Sequence, residues 1–309
     1  MDYVLSVVFI VIGFALLVKG ADLFVDNASG VAKKIGISPL VVGLTIVAFG
    51  TSMPELAVSV TAALEKHNEI AVGNVVGSNI FNLLVVAGLS ACLFPLVTNK
   101  TIMKRDWPIS TVAALMLAAF LYPNMHIARW EAAILLVVFV AITVYQIIQG
   151  KKEGNESKEE ETRSMLKLLI MLVIGIAGII FGAEFAVEGA TRFATLLGVS
   201  ETLIGLTIVA IGTSLPELVT SVIAARKGEN EIAMGNVIGS NIFNLFCILG
   251  VSALLRPITV EATAIFDALF LAAISFVFWL VCRWKKLDRV LGSIMVLTYV
   301  GYMVYIIMR

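Results

Sequence analysis

The stretch VVGLTIVAFGTSMPELAVSVTAALEKHNEIAVGNVVGSNIFNL at 41–83 returns as LIGLTIVAIGTSLPELVTSVIAARKGENEIAMGNVIGSNIFNL at 203–245. The offset is a constant 162 residues without a gap, and 30 of the 43 positions are identical. The chain is therefore two copies of one unit. The offset reaches further upstream, where Gly20 matches Gly182, Asp22 matches Glu184 and Asp26 matches Glu188.

The repeated unit is built for lipid. The chain is 60% hydrophobic and 14% charged, against about 25% charged residues in soluble domains. Apolar runs long enough to cross the hydrocarbon recur from end to end, which reads as a polytopic membrane protein. Apolar runs and their breaks predict helices near 4–26, 38–64, 70–96, 108–122 and 130–149, then 165–188, 200–225, 231–255, 262–282 and 288–308. The first run continues to about residue 24 and is preceded by no basic segment, so it reads as a helix and not a signal peptide. The expected fold class is an all-α membrane protein of ten transmembrane helices in two five-helix repeats, 1–150 and 164–309. They are joined by the polar segment KKEGNESKEEETR at 151–163.

Five is odd, so the second copy must enter the bilayer from the opposite side. Basic residues test this. The ends after helices 1, 3, 5, 7 and 9 hold 16 of the 22 Lys and Arg, among them Lys100, Lys104, Arg105, Lys151, Lys227 and Lys286; the other face holds five, and Lys19 lies within helix 1. That bias places the 151–163 linker in the cytoplasm and both termini outside, in a multi-pass protein of the cell membrane. Inverted repeats mark secondary transporters, with a site near the midplane where interrupted helices meet.

The interruptions are GTSMPE at 50–55 and GTSLPE at 212–217. Proline within a helix costs about 3 kcal/mol and frees the carbonyl four residues back, here that of Gly50 or Gly212. A carboxylate at bilayer depth costs about 2.5–3.5 kcal/mol on insertion scales. Both penalties, incurred twice, predict that freed carbonyls and carboxylates share a cation. Thr51 and Ser52 lie four and three residues before Glu55, on its face of the helix, as Thr213 and Ser214 do before Glu217. The following helices carry polar stripes, Asn74, Ser78, Asn82 and Asn236, Ser240, Asn244, beside the small pair Gly73 and Gly77.

The candidate metal ligands are thus Glu55, Glu217, Thr51, Thr213, Ser52, Ser214, Ser78, Ser240, Asn82 and Asn244. Asn74, Asn79, Asn236 and Asn241 read as packing supports, and Asp22, Asp26, Glu184 and Glu188 as solvated or vestibule residues. All candidate ligand atoms are hard oxygens. Calcium takes six to eight such ligands in flexible geometry, and sodium can use the same set. Two glutamates neutralise one divalent ion. The glutamates also allow a proton relay, and the stripes allow interhelical hydrogen bonding without a ligand. Asp267 has no acidic counterpart in the first half.

Other classes fit less well. Cys92, Cys247 and Cys282 lie in apolar segments, which fits small hydrophobes rather than a zinc site or disulfides. His67 and His126 fall in loops, so no membrane histidine activates Ser52 as a nucleophile. A paired-aspartate protease lacks its partner for Asp267. The reading is not an enzyme. A channel could use the same ligands, but interrupted inverted repeats favour a transporter. Zero net charge gives no reason to expect nucleic acid, and no obligatory protein partner is evident. The partners expected are the lipid bilayer and inorganic cations.

The two copies of G-T-S-x-P-E, each followed by G-N-x-x-G-S-N-I-F-N, resemble the alpha repeats of the sodium/calcium exchanger family, within the calcium:cation antiporters. The resemblance covers essentially the whole chain. It implies alternating-access exchange of Na+ for Ca2+, both transported ions, with no organic cofactor. It also implies Glu55 and Glu217 at the centre of the site, and it adds the carbonyls of Ala48 and Ala210. Helices 1 and 6 would slide as a gating pair. The chain departs from potassium-dependent branches, which carry Asp where Asn244 stands. It departs from proton/calcium exchangers, which place an acid where Val76 and Ile238 stand. The alternatives left are H+/Ca2+ antiport or another Na+/divalent cation exchange. The long cytoplasmic regulatory domain of animal exchangers has no counterpart here.

Overall fold

A computed structural model describes residues 2–154, 161–199 and 204–308. Part of the predicted linker, 155–160, and the start of the predicted 200–225 helix lie outside the described residues. The described chain is helices joined by short turns and loops, with one two-residue ladder and one isolated bridge. Among the described residues seven helices are long and apolar enough to cross a membrane, or eight when the bent pair Pro39–Thr51 and Met53–Leu64 is taken as one span.

Asp2–Ile35 runs nine residues past its predicted end at 26, and Met165–Leu196 runs eight past 188. In each case polar residues mark the end of the apolar run while the helical hydrogen bonds continue. Asn27 and Ser29 are buried against neighbours rather than solvated. These two long helices cross by glycine contacts. A Cβ on Gly13 would stand 2.4 Å from the Ala186 amide nitrogen, and one on Gly182 would stand 2.5 Å from that of Leu17. Close backbone approach through small residues is how helices associate where lipid is as apolar as their side chains.

The helix Trp107–Asn124 packs on Ala262–Cys282, the segment Ala87–Leu93 on Arg289–Met308, and Leu249–Leu255 on Arg129–Gly154. The last two pairs exchange equivalent elements between the halves. Loop pairings do the same: Ile127 pairs with Ile258 in a two-residue antiparallel ladder, and Leu96 bridges Leu287.

Every apolar stripe that leads to the polar centre contains a π-helical turn. Gly43–Val47 and Gly205–Val209 are such turns 162 residues apart, and Asn82–Val86 and Phe243–Ile248 form a second pair. A π turn shifts the helical register by one residue and so re-aims the side chains beyond it. The sequence reading treated these stretches as continuous α-helix.

Adding bulk where the long helices cross tests the packing. Gly182→Val sets side-chain carbons against backbone that has no flexible end to give way, an overpacking cost of about 1–3 kcal/mol. The detergent-solubilised protein should melt several degrees lower. Gly301→Ala, with nothing within 4 Å of the added carbon, should not shift the melt. Equal melting of Gly182→Val and wild type would contradict this packing.

Candidate cation site

The proline in each repeated motif acts as a helix start. The first bent pair turns by 50°. Ser52, at φ −87° and ψ 11°, separates Ala48–Thr51 from Met53–Leu64, which has Pro54 in its first turn. Proline is tolerated there because a first-turn N–H has no intrahelical partner. Ser214 and Pro216 repeat the arrangement before Leu215–Arg226. Each glutamate therefore sits in the first turn of a new helix, where the peptide dipoles favour negative charge. Both bends fit tightly against the helix Met165–Leu196: a Cβ on Gly50 would lie 2.3 Å from Ile176 Cδ1, and one on Gly212 2.3 Å from Val187 Cγ2.

Glu55 and Glu217 are fully buried. Their hydrogen bonds run crosswise between the halves. Ser52 Oγ donates to Glu217 Oε1 at 2.7 Å, and Ser214 Oγ donates to Glu55 Oε1 at 2.9 Å. The sequence reading placed each serine beside the glutamate of its own motif. The structure pairs it with the glutamate of the other copy, so neither half completes its carboxylate alone.

The asparagines hold this frame. Asn74 Nδ2 donates to the Glu55 carbonyl at 3.2 Å and to Ser59 Oγ at 2.9 Å. Asn236 Nδ2 does the same with the Glu217 carbonyl at 3.3 Å and Ser221 Oγ at 2.9 Å. Asn79 and Asn241 exchange side chain-to-carbonyl bonds across the halves, at 3.4 and 3.3 Å. The pseudo-symmetry is not complete. Thr51 Oγ1 bonds Asn236 Oδ1 at 3.0 Å, and Asn244 Nδ2 donates to Asn79 Oδ1 at 3.1 Å.

The helix carrying Glu217 packs on the π turn that begins with Asn82, and the helix carrying Glu55 packs on the π turn that contains Asn244. Ser78 and Ser240 lie one helical turn earlier on the same elements and are buried. Ala48 is buried, and its carbonyl accepts the Ser52 N–H at 3.1 Å. Ala210 opens the matching segment Ala210–Gly212.

Several of these groups keep oxygens without a hydrogen-bond partner among the described residues: Glu55 Oε2, Glu217 Oε2, Asn82 Oδ1, Asn244 Oδ1, Thr213 Oγ1 and Ser240 Oγ. Buried polar atoms are ordinarily bonded. A concentration of unbonded oxygens around two buried carboxylates is the chemistry of a hard-cation site. Among the described residues no cluster of three or more His, Cys, Asp or Glu could hold a metal; the donors here are two carboxylates plus neutral oxygens.

The acids at the helix ends take other roles. Lys227 Nζ lies 2.9 Å from Asp22 Oδ1 and 2.5 Å from Asp26 Oδ1, with Arg226 Nη2 3.3 Å from Asp22. Ser29 Oγ donates to Glu229 at 2.8 Å. Arg163 reaches Asn27 Oδ1 and the Asp26 carbonyl, each at 3.2 Å, and forks onto Glu161, whose carboxyl its guanidinium holds down at about 2. Glu188 pairs with Arg192 on its own helix. Asp267 lines a separate cavity of about 120 Å³ with Glu69 and Glu261.

Comparison with known proteins shows the family. The sodium/calcium exchanger protein family model matches residues 5–148 and 167–308. The chain is 37% identical over 310 residues to the putative antiporter CaxA of Alkalimonas amylolytica, covering 96% of this chain and 97% of that one. It is 35% identical over 343 residues to the sodium/calcium exchanger MaX1 of Methanosarcina acetivorans, covering 96% of each. Among solved structures, the sodium-calcium exchanger NCX_Mj soaked with 10 mM Na+ and zero Ca2+ superposes with a TM-score of 0.87 at 30% identity, over 98% of this chain and 99% of that one. The two motif copies, the helical multi-pass fold and these matches together make the chain a member of the sodium/calcium exchanger family, which consists of transporters rather than catalysts.

Proposed function

We propose that the chain is an antiporter exchanging Na+ for Ca2+ across the cell membrane by alternating access. The observation that carries this reading is the buried oxygen cluster, with Glu55 and Glu217 completed crosswise by Ser214 and Ser52. Glu55, Glu217, Thr51, Thr213, Ser52, Ser214, Ser78, Ser240, Asn82, Asn244 and the carbonyls of Ala48 and Ala210 form the cation site. One Ca2+ or a set of Na+ ions occupies the glutamates, never both. Without a cation, the two carboxylates are buried charges lacking compensation, and that state resists moving between the two sides. Exchange is then obligatory.

The site lies between two inverted five-helix repeats, 1–150 and 164–309, in a ten-span arrangement with both termini outside and the 151–163 linker cytoplasmic. The exchanged helix packings and the two loop pairings support this arrangement. So do the eight described side-chain bonds that recur with each residue replaced by its mate 162 positions away.

The halves differ at their ends. On the linker side, Asp22, Asp26 and Ser29 are tied to Arg226, Lys227 and Glu229. At the matching positions of the other copy, Glu184, Glu188 and Thr191 correspond to Leu64, Glu65 and His67. An attraction on one side is matched by like charges on the other. The linker-side latch therefore favours the form closed to the cytoplasm.

Two measurements test this reading. Proteoliposomes loaded with Na+ and diluted into Na+-free buffer should take up radioactive Ca2+, and uptake should vanish in equal Na+ and in Glu55→Gln. Uptake indifferent to Na+ but driven by a pH gradient would replace the reading with H+/Ca2+ antiport. In a cysteine-free background, Lys227→Gln should raise labelling of Ala225→Cys by an impermeant thiol reagent from the cytoplasmic side several-fold. Unchanged labelling would remove the latch from the mechanism.

A further inference from the structure

A second polar cavity lies away from the cation site. It has a volume of about 250 Å³, between the start of the 107–124 helix and the end of the 129–154 helix, and is lined by Lys100, Thr101, Lys104, Arg105, Tyr145 and Gln149. Its lining holds three cations and no carboxylate. Nothing in the exchange mechanism uses it.

The cavity is a constructed feature. Asn99 Oδ1 accepts the Ile102 N–H at 2.8 Å, and its Nδ2 donates to Glu231 at 2.9 Å, fixing the loop that presents Lys100. The π turn Ile102–Asp106 then aims Lys104 and Arg105. Arg105 forks onto Asp106 at 2.8 and 3.0 Å, and its guanidinium lies 5.8 Å from the centre of the Tyr145 ring. Asp106 is fully buried and also accepts from Gln146 Nε2 at 3.0 Å. Asp106 compensates Arg105, while Lys100 and Lys104 have no ion-pair partner among the described residues. The cavity thus carries two uncompensated positive charges beside hydrogen-bond donors held in place.

Its surroundings select the ligand. Val137, Val140, Val144 and Ile148 form an exposed apolar stripe, spaced by three or four residues, that climbs the same helix away from the cavity. Half-exposed Tyr145 stands at the junction, as aromatic residues do at the membrane interface. A cationic pocket on the basic side of a membrane protein, continuous with a lipid-facing stripe, matches a molecule with an anionic head and an acyl tail.

We infer that this cavity binds the phosphodiester headgroup of an anionic phospholipid in the leaflet on the linker side, with an acyl chain along the 137–148 stripe. Lys100 and Lys104 supply the charge. Arg105, Thr101 and Gln149 supply oriented donors, and Tyr145 caps the glycerol region. Naming that leaflet rests on the orientation proposed above, but binding itself does not.

Native mass spectrometry of the full-length protein in detergent tests this, using phosphatidylglycerol and phosphatidylcholine at equal concentration. Wild type should retain several-fold more phosphatidylglycerol. Lys100→Gln with Lys104→Gln should lose that preference, and Lys100→Arg with Lys104→Arg should keep it. Lys66→Gln with Arg256→Gln, on the opposite face, should keep it too. Equal retention of the two lipids, or an unchanged preference in the double glutamine variant, overturns the proposal. Displacement of phosphatidylglycerol by an equal concentration of inorganic phosphate also overturns it, because the site would then recognise free phosphate. If the glutamine variant does not fold, the wild-type melt decides: stabilisation by phosphatidylglycerol beyond phosphatidylcholine is required.

Discussion

Two carboxylates buried in an apolar interior govern this structure. A buried charge without a partner is among the least tolerable features a protein can carry, and here there are two, each with one oxygen that no group among the described residues satisfies. What surrounds them follows from that constraint. The chain breaks a helix just before each glutamate, so the acid sits at a helix start, and it supplies each with a hydroxyl from the opposite copy. Asparagines then pin the broken segments by bonding the glutamates' own carbonyls. The remaining deficit of positive charge is what a bound cation offsets in the proposed function.

Duplication turns this local solution into a transport device. Because the serine of one copy completes the glutamate of the other, the site exists only at the seam between the halves. Relative motion of the halves therefore changes the site itself. The helix Met165–Leu196 lies against the seam, with Ile176 and Val187 fitted at the bends next to Gly50 and Gly212. The two long helices cross each other through close glycine contacts. In the proposed mechanism the charged ties at the linker side favour one closed end.

Much of this could be read from residue order alone. The constant 162-residue offset exposed the duplication, hydropathy exposed the helical membrane character, and Pro54 and Pro216 marked where helices break. What stayed hidden depends on geometry between segments far apart in sequence. Nothing near Ser52 says that its hydroxyl will meet Glu217, 165 residues away. The π turns at 43–47 and 82–86 arise from packing across the seam, and their composition differs little from ordinary α-helix. Helix ends were placed too early at 26 and 188, because Asn27 and Ser29 look like loop residues until Arg163 and Glu229 are seen bonding them. Asp267, unexplained by the repeat, belongs to a cavity shared with Glu69 and Glu261.

The central claim is that one set of oxygens serves both ions. Calorimetric titration of Ca2+ into the purified protein, repeated at rising Na+ with choline replacing it at constant ionic strength, tests this most directly. The account predicts a single Ca2+ site whose apparent affinity falls steadily as Na+ rises, with unchanged capacity. Calcium binding that keeps its affinity in saturating Na+ would mean separate sites, and the shared-site account of exchange would be wrong.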